Sequence, residues 1–125
     1  MILKDKIIIV TGGSGLIGKE LIADIIRKGG KAINADISVE TNLPSGTIHM
    51  DITDDDSIQK GIKCIVTEFG RIDGLVNNAY PRTMDWGNIF EDIDPDSWRK
   101  NVDMQMNSYF VFCQTVLKQN QLIHL

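Results

Sequence analysis

The sequence predicts an α/β protein built on a doubly wound parallel sheet, and three features predict it. Short β-branched runs alternate with longer segments of helical period, which is the pattern of strands joined by crossover helices. Glycines and aspartates stand at the boundaries where such elements must start, stop or turn. The first strand, Lys6–Thr11, is apolar on both of its alternating sides, as a strand covered on both faces must be. Right-handed crossovers then give an order of 3-2-1-4 for about four strands, with helices on both faces. The winding reverses between the first and fourth strands, where a ligand crevice is expected.

Each element has its own justification. After Lys6–Thr11, residues Gly15–Lys28 read as a helix, with Ile17, Leu21 and Ile25 in an apolar stripe and Ile22 and Ile26 beside them. Gly29-Gly30 ends it, because glycine enters a left-handed C-terminal cap most easily. Lys31–Asp36 is the second strand, Ile37–Gly46 a polar loop containing Pro44, and Thr47–Met50 a short third strand. Thr53 or Asp54 caps the next helix, and Asp54-Asp55-Asp56 put negative charge at its positive end. Its apolar positions, Ile58, Ile62, Ile65, Val66 and Phe69, run up to Gly70. Gly74–Asn77 is the fourth strand, followed by a long loop from Ala79 to Ile93.

Asp94-Pro95 opens the last helix, aspartate as cap and proline in the first turn. Val102, Met106, Tyr109, Phe110, Cys113, Val116 and Leu117 mark its main apolar face, and Met104, Ser108, Phe112 and Thr115 a second, smaller one. A helix with two such faces is expected to be packed on both. The tail Lys118–Leu125 reads as an aborted fifth strand or as unrelated sequence.

Bulk properties limit the function classes. The 125 residues, 42% hydrophobic and 24% charged, make one domain, residues 1–125, that buries roughly two-thirds of its unfolded surface if the fold is complete. A net charge of −4 and the lack of a basic stripe argue against nucleic-acid and anionic-membrane partners. The apolar run Ile7–Val10 is too short for a signal segment or a membrane span, so a cytoplasmic location is expected. Cys64 and Cys113 are expected to be reduced core or semi-buried thiols, and no metal-ligand spacing joins them to His49 or His124.

The chemistry sits in four short stretches. Between the first strand and helix runs Gly12-Gly13-Ser14-Gly15-Leu16-Ile17-Gly18, a turn that can aim backbone N–H groups at a diphosphate. Gly12 and Gly15 permit the tight turn and close approach, and Gly18 lets the helix pack against the strand. Asp36, eighteen residues beyond Gly18, can accept hydrogen bonds from both hydroxyls of an adenosine ribose and would repel a 2′-phosphate. NAD is therefore favoured over NADP. Asp51 and Ile52 offer a carboxylate and an aliphatic wall to an adenine ring, although helix-start electrostatics explains Asp51 nearly as well. Asn77-Asn78-Ala79 can bridge neighbouring strand ends, hydrogen-bond a ribose and leave room for a nicotinamide.

Thr11–Gly18, Asp36, Asp51–Thr53, Asn77–Ala79 and the helix containing Trp98 together resemble the short-chain dehydrogenase/reductase family over nearly the whole chain, and with it the N-terminal part of a Rossmann-type fold. The resemblance implies NAD(P) binding and reversible hydride transfer between the cofactor and a small-molecule alcohol or carbonyl. A narrower likeness, carried by Asn77–Arg82 and Asn101–Ser108, is to reductases of bacterial surface-sugar or flagellin-modification pathways.

The chain departs from the family pattern in several places. The glycine spacing is closer to the sugar-nucleotide branch, and Tyr80 stands where the family has glycine. Gln105, seven residues after Trp98, occupies the position of the family's catalytic asparagine. The family's serine strand and its Tyr-x-x-x-Lys helix would follow Leu125, so the expectation is a truncated binding portion, inactive alone. Two alternatives stand beside it: a non-catalytic NAD-binding module, and a fragment of a sugar-nucleotide epimerase or dehydratase. A sheet edge left unpaired and the last helix both invite a homo-oligomer.

Overall fold

The computed structural model describes Met1–His124, and from Gln121 onward the course of the backbone alone. The strands β1 (Ile7–Thr11), β2 (Lys31–Asp36), β3 (Thr47–His49) and β4 (Gly74–Val76) are parallel and lie in the order β3-β2-β1-β4. The expected order therefore holds. Met50 and Asn77 fall just past the last paired residues of β3 and β4. In the register, Thr11 stands beside Ala35 on one side and Val10 beside Val76 on the other. The ends of β1, β2 and β4 thus rise together at one rim.

Alternation along β1 builds two cores. Ile7 and Ile9 face Ile33 of β2, Ile58, Ile62 and Ile65 of α2 (Asp55–Phe69), and Phe112. Val10 faces Ile25 of α1 (Leu16–Arg27), with Ile8, Leu21 and Ile22 packed against them. Ile9, Val10, Ile33 and Phe112 are all fully buried, each worth about 1.5–3 kcal/mol of apolar transfer. The stripe on α1 differs from expectation at its ends: Ile17 and Ile26 are exposed, Ile17 because it reaches the rim rather than the sheet.

The caps follow local chemistry. Asp54 accepts from the amides of Asp56 and Ser57 at the start of α2, and Gly70 closes that helix with a φ of 80°. Gly29, at a φ of 88°, reverses the chain after α1. Asp94 accepts from Asp96 N ahead of α3 (Pro95–Val102), with Pro95 in its first turn. Within the polar loop, Leu43–Ser45 forms a short 3₁₀ turn.

The chain's last third and its thiols differ from expectation. A π-helical turn, Asp103–Asn107, separates α3 from α4 (Ser108–His124). The expected packing on both faces of the helix is not found, because Val102, Met106, Phe110 and Leu117 of the main face are exposed; the buried side joins Ser108, Phe112 and Thr115 of the smaller face with Val116 of the main one and with Asn101. The buried polar groups are satisfied locally, as where Thr115 Oγ1 donates to Val111 O, so this face can lie close against α2. The tail is helix rather than strand through His124; Leu125 lies outside the described residues. Asn120 helps to hold it there, because its Nδ2 donates to Ile72 O at 2.8 Å and its Oδ1 accepts from Ile72 N at 3.2 Å. Cys64 and Cys113 are free and exposed rather than semi-buried.

At the opposite end of the sheet, Asp73 ties β1 to the approach of β4. Its Oδ2 accepts from Ile7 N at 2.8 Å, and Arg71 pairs with the same carboxylate. Burial works against its ionisation, but the Arg71 guanidinium and the Ile7 amide outweigh burial and hold its carboxyl below the usual range. A carboxyl depressed in the folded state stabilises above its unfolded pKa and loses that contribution as pH falls through the folded value. Asp73→Ala should therefore cost about 1–3 kcal/mol in urea unfolding at neutral pH. The gap from wild type should close on acidification below the carboxylate range.

Candidate functional site

The rim crevice is held by Thr11, the last residue of β1 and fully buried. Its Oγ1 accepts from Asn78 N at 3.0 Å and Ala79 N at 2.9 Å and donates to Val76 O at 3.4 Å. Asn78 answers from the other side, its Nδ2 donating to Thr11 O and Gly12 O at 3.1 and 3.2 Å. The expected bridge between strand ends is thus made by Asn78. Asn77 instead turns toward the last helix, its Nδ2 against Cys113 Sγ at 3.3 Å, and its buried Oδ1 has no partner.

The glycine turn separates into structural and open positions. Gly12 has a φ of 63°, and a Cβ there would stand 2.9 Å from Ala79 Cα. A Cβ on Gly18 would stand 2.3 Å from Gly12 O and 2.6 Å from Gly13 Cα, which backbone cannot yield. Gly13 is closed by Asn34, whose Oδ1 would lie 2.4 Å from an added Cβ. Gly15 is different: a Cβ there would meet only Gly12 O, at 3.3 Å, and otherwise opens outward. Lys19 N to Gly15 O is the first bond of the helical ladder, so the amides of Leu16, Ile17 and Gly18 precede it.

Asp36 and Asn34, at the end of β2, secure the turn from beside it. Asp36 Oδ2 accepts from Ser14 N at 3.1 Å, while its Oδ1 accepts from Ser38 N and Oγ at 2.9 and 2.8 Å. Burial opposes its charge, but these donors prevail and keep the carboxyl below its ordinary value. Asn34 Nδ2 donates to Ser14 Oγ at 3.1 Å, and its Oδ1, buried beneath Gly13, has no partner. Asp51 Oδ1 accepts from Thr53 N and Oγ1, while Ile52 is buried, so this pair is both a turn and a wall of the crevice.

Residues 79–83 form the far wall, and three side chains from the last helical stretch hold them. Tyr109 OH donates to Ala79 O at 2.8 Å, Gln105 Nε2 donates to Pro81 O at 2.9 Å, and Asn101 Oδ1 accepts from Thr83 N at 2.9 Å. Asn101, fully buried, also donates to Thr83 Oγ1 and Ser97 O. Positions 101, 105 and 109 share one helix face. Burial, with Tyr80 nearby, raises the Tyr109 pKa, so its hydroxyl stays a donor. Gln105 lies within the π turn with its amide committed to the loop, and Asn107 bonds outward to Asp103.

Tyr80 and Arg82 line the crevice together with Ala79 and Pro81. Tyr80 meets Trp86 edge-on at 5.7 Å between ring centroids, and Trp86 stacks on Trp98 at 5.8 Å. Two adjoining cavities, about 470 and 230 Å³, lie along the rim and share Gly12, Asp36, Ala79 and Tyr80 in their walls. Gly15, Leu16 and Ile17 line the first, and Asp51 and Ile52 the second. Asn34, Asn101 and Tyr109 are the contributors that sequence reasoning missed. The available signal was a polar group inside otherwise apolar strand or helix patterns.

Comparison with known proteins agrees with this geometry. Residues 6–122 match the family described as short chain dehydrogenase. The chain is 36% identical over 99 residues to "Post-translational flagellin modification protein A" of Campylobacter coli, covering 70% of this chain and 39% of that protein. The Thermoplasma acidophilum aldohexose dehydrogenase superposes with a TM-score of 0.78 at 30% identity, covering 92% of this chain and 44% of that one. A short chain dehydrogenase from Leptospira borgpetersenii with bound NAD+ superposes with a TM-score of 0.77 at 25% identity, covering 94% and 46%. The chain spans less than half the length of each of these three proteins. Sheet order, rim crevice and family match lead to one statement: this chain belongs to the short-chain dehydrogenase family of oxidoreductases.

Proposed function

We propose that the crevice holds NAD and that this chain is the cofactor-binding portion of a short-chain dehydrogenase acting on a small-molecule alcohol or carbonyl. The observation that carries the reading is the contrast between Gly18, walled in by backbone, and Gly15, open to the crevice beside unladdered amides. A turn kept bare on its solvent side, at the positive end of a helix, suits an anionic diphosphate. The relative from Leptospira borgpetersenii, whose structure holds NAD+, supports the same assignment.

When bound, NAD supplies a hydride acceptor, and its reduced form a hydride donor. The chain's own part is to bind, orient and exclude water. The amides of Leu16, Ile17 and Gly18 face the diphosphate, Asp36 takes the adenosine ribose, and Asp51 with Ile52 flanks the adenine. Ala79 and Tyr80 border the nicotinamide end, where Tyr80 narrows the space a glycine would leave. Asp36 already accepts three hydrogen bonds, so of the roughly four lone-pair directions of a carboxylate about one is open until the Ser38 hydroxyl turns away. Its charge, maintained at neutral pH, disfavours the 2′-phosphate of NADP.

No helix among the described residues is long and apolar enough to cross a membrane, which is in keeping with a cytoplasmic protein. The exposed stripe of Val102, Met106, Phe110 and Leu117 supports self-association along the last helix.

Two substitutions separate the roles of the glycines. Gly15→Val should cost about 1–2 kcal/mol of unfolding free energy and leave the chain folded, since the backbone at φ −77° and ψ 176° accepts a side chain although its Cβ meets Gly12 O at 3.3 Å. It should nevertheless abolish NAD binding in calorimetry. Gly18→Ala should instead destabilise the fold by about 3 kcal/mol or more. Unchanged NAD affinity in the Gly15 variant would remove the turn from the site. Asp36→Ala should weaken NAD about tenfold and narrow its advantage over NADP, as read by competitive titration.

A further inference from the structure

We infer that Arg82 is a side-chain clamp for the diphosphate of the bound dinucleotide, supplying the positive charge that the glycine turn lacks. The inference rests on the reading that the crevice takes a dinucleotide. Arg82 lines the 470 Å³ cavity together with Gly12, Gly15, Leu16 and Ile17, the residues of the turn itself. The carboxylates lining the two rim cavities are Asp36 and Asp51, and Arg82 is the one cationic side chain among their lining residues, so it is the cation that the described crevice offers to an anion.

The bonding of Arg82 sets it apart from the chain's other arginines. Arg27, Arg71 and Arg99 each pair with an aspartate two or three residues away, Asp24, Asp73 and Asp96. Among the described residues Arg82 has no such partner, although Asp85 lies three residues on. The loop withdraws that carboxylate: Asp85 accepts from Thr83 Oγ1 at 2.6 Å and from Asp94 N at 3.1 Å. Arg82 itself donates through Nη1 to Tyr80 O at 3.2 Å, and its guanidinium lies 5.7 Å from the centre of the Tyr80 ring. One donor is used to hold position and the rest of the five-donor fork is free of other partners among the described residues.

Loop geometry places Arg82 at the mouth of the crevice. The last helical stretch takes residues 79, 81 and 83 by their backbone, through Tyr109, Gln105 and Asn101. Ala79 and Pro81 still line the rim, and Tyr80 and Arg82 extend the same wall, Arg82 on the side of the glycine turn. Gln105 and Tyr109 are positioning residues for this clamp.

The test is Arg82→Gln, with Arg82→Lys beside it, titrated calorimetrically with ADP-ribose, adenosine, NAD and NADP. Arg82 is exposed, so thermal unfolding of both variants should match wild type. For Arg82→Gln, ADP-ribose and NAD affinities should fall about tenfold or more, adenosine affinity should not change, and the dependence of ADP-ribose binding on salt should flatten. Arg82→Lys should recover part of the loss. Wild-type affinity for ADP-ribose in Arg82→Gln would overturn the clamp and leave the cofactor reading intact. An equal loss for adenosine would make Arg82 structural and overturn it too. A loss confined to NADP would move the charge to a 2′-phosphate and overturn the diphosphate assignment. Failure of wild type to bind ADP-ribose at millimolar concentration would remove both the clamp and the dinucleotide site.

Discussion

The hydroxyl of Thr11 joins the two halves of this structure. The switch point of a doubly wound sheet is a place where the strand ends diverge, because successive crossovers leave on opposite faces. An unsatisfied backbone amide at such a place costs about as much as a lost hydrogen bond. Thr11 Oγ1 answers both problems by accepting from the amides of Asn78 and Ala79 and donating to Val76 O. Asn78 returns the contact through the carbonyls of Thr11 and Gly12. With β1 and β4 locked at their ends, the glycine turn and the 79–83 wall are held at a set separation.

The two walls are built on different physics. The turn side is backbone: close approach at Gly12, Gly13 and Gly18, and a bare surface at Gly15. The far wall is side chain, hung from the last helical stretch by Asn101, Gln105 and Tyr109. Backbone donors on one wall and a free guanidinium on the other form a cleft whose polarity is complementary to a diphosphate. The carboxylates Asp36 and Asp51 line the cleft toward β2 and β3, where neutral hydroxyls are better guests than anions.

Local chemistry was legible in the sequence wherever one residue type has one physical use. The β-branched run of β1 marked a strand buried on both faces, and the caps at Asp54, Gly29, Gly70 and Asp94 stood where they were expected. The last helix was expected to be packed on both faces, and most of its larger apolar face is instead exposed. Its inward side carries Asn101, Ser108 and Thr115, polar residues whose hydrogen bonds are made with the loop or with the helix itself. The helical tail was misread for a related reason, since Asn120 pairs with Ile72 across 48 residues. No local pattern encodes such contacts. The tethers on residues 79–83 span 18 to 30 residues and were hidden in the same way.

The central claim is that the amides opening α1 grip a diphosphate across the rim from β4. Titrating the isotopically labelled chain with NAD and following backbone amide resonances tests it most directly. The signals of Leu16, Ile17 and Gly18 should move together with those of Asn78 and Ala79 and saturate at one common concentration. Resonances of that turn that stay in place, while NAD shifts another surface or none, would contradict it.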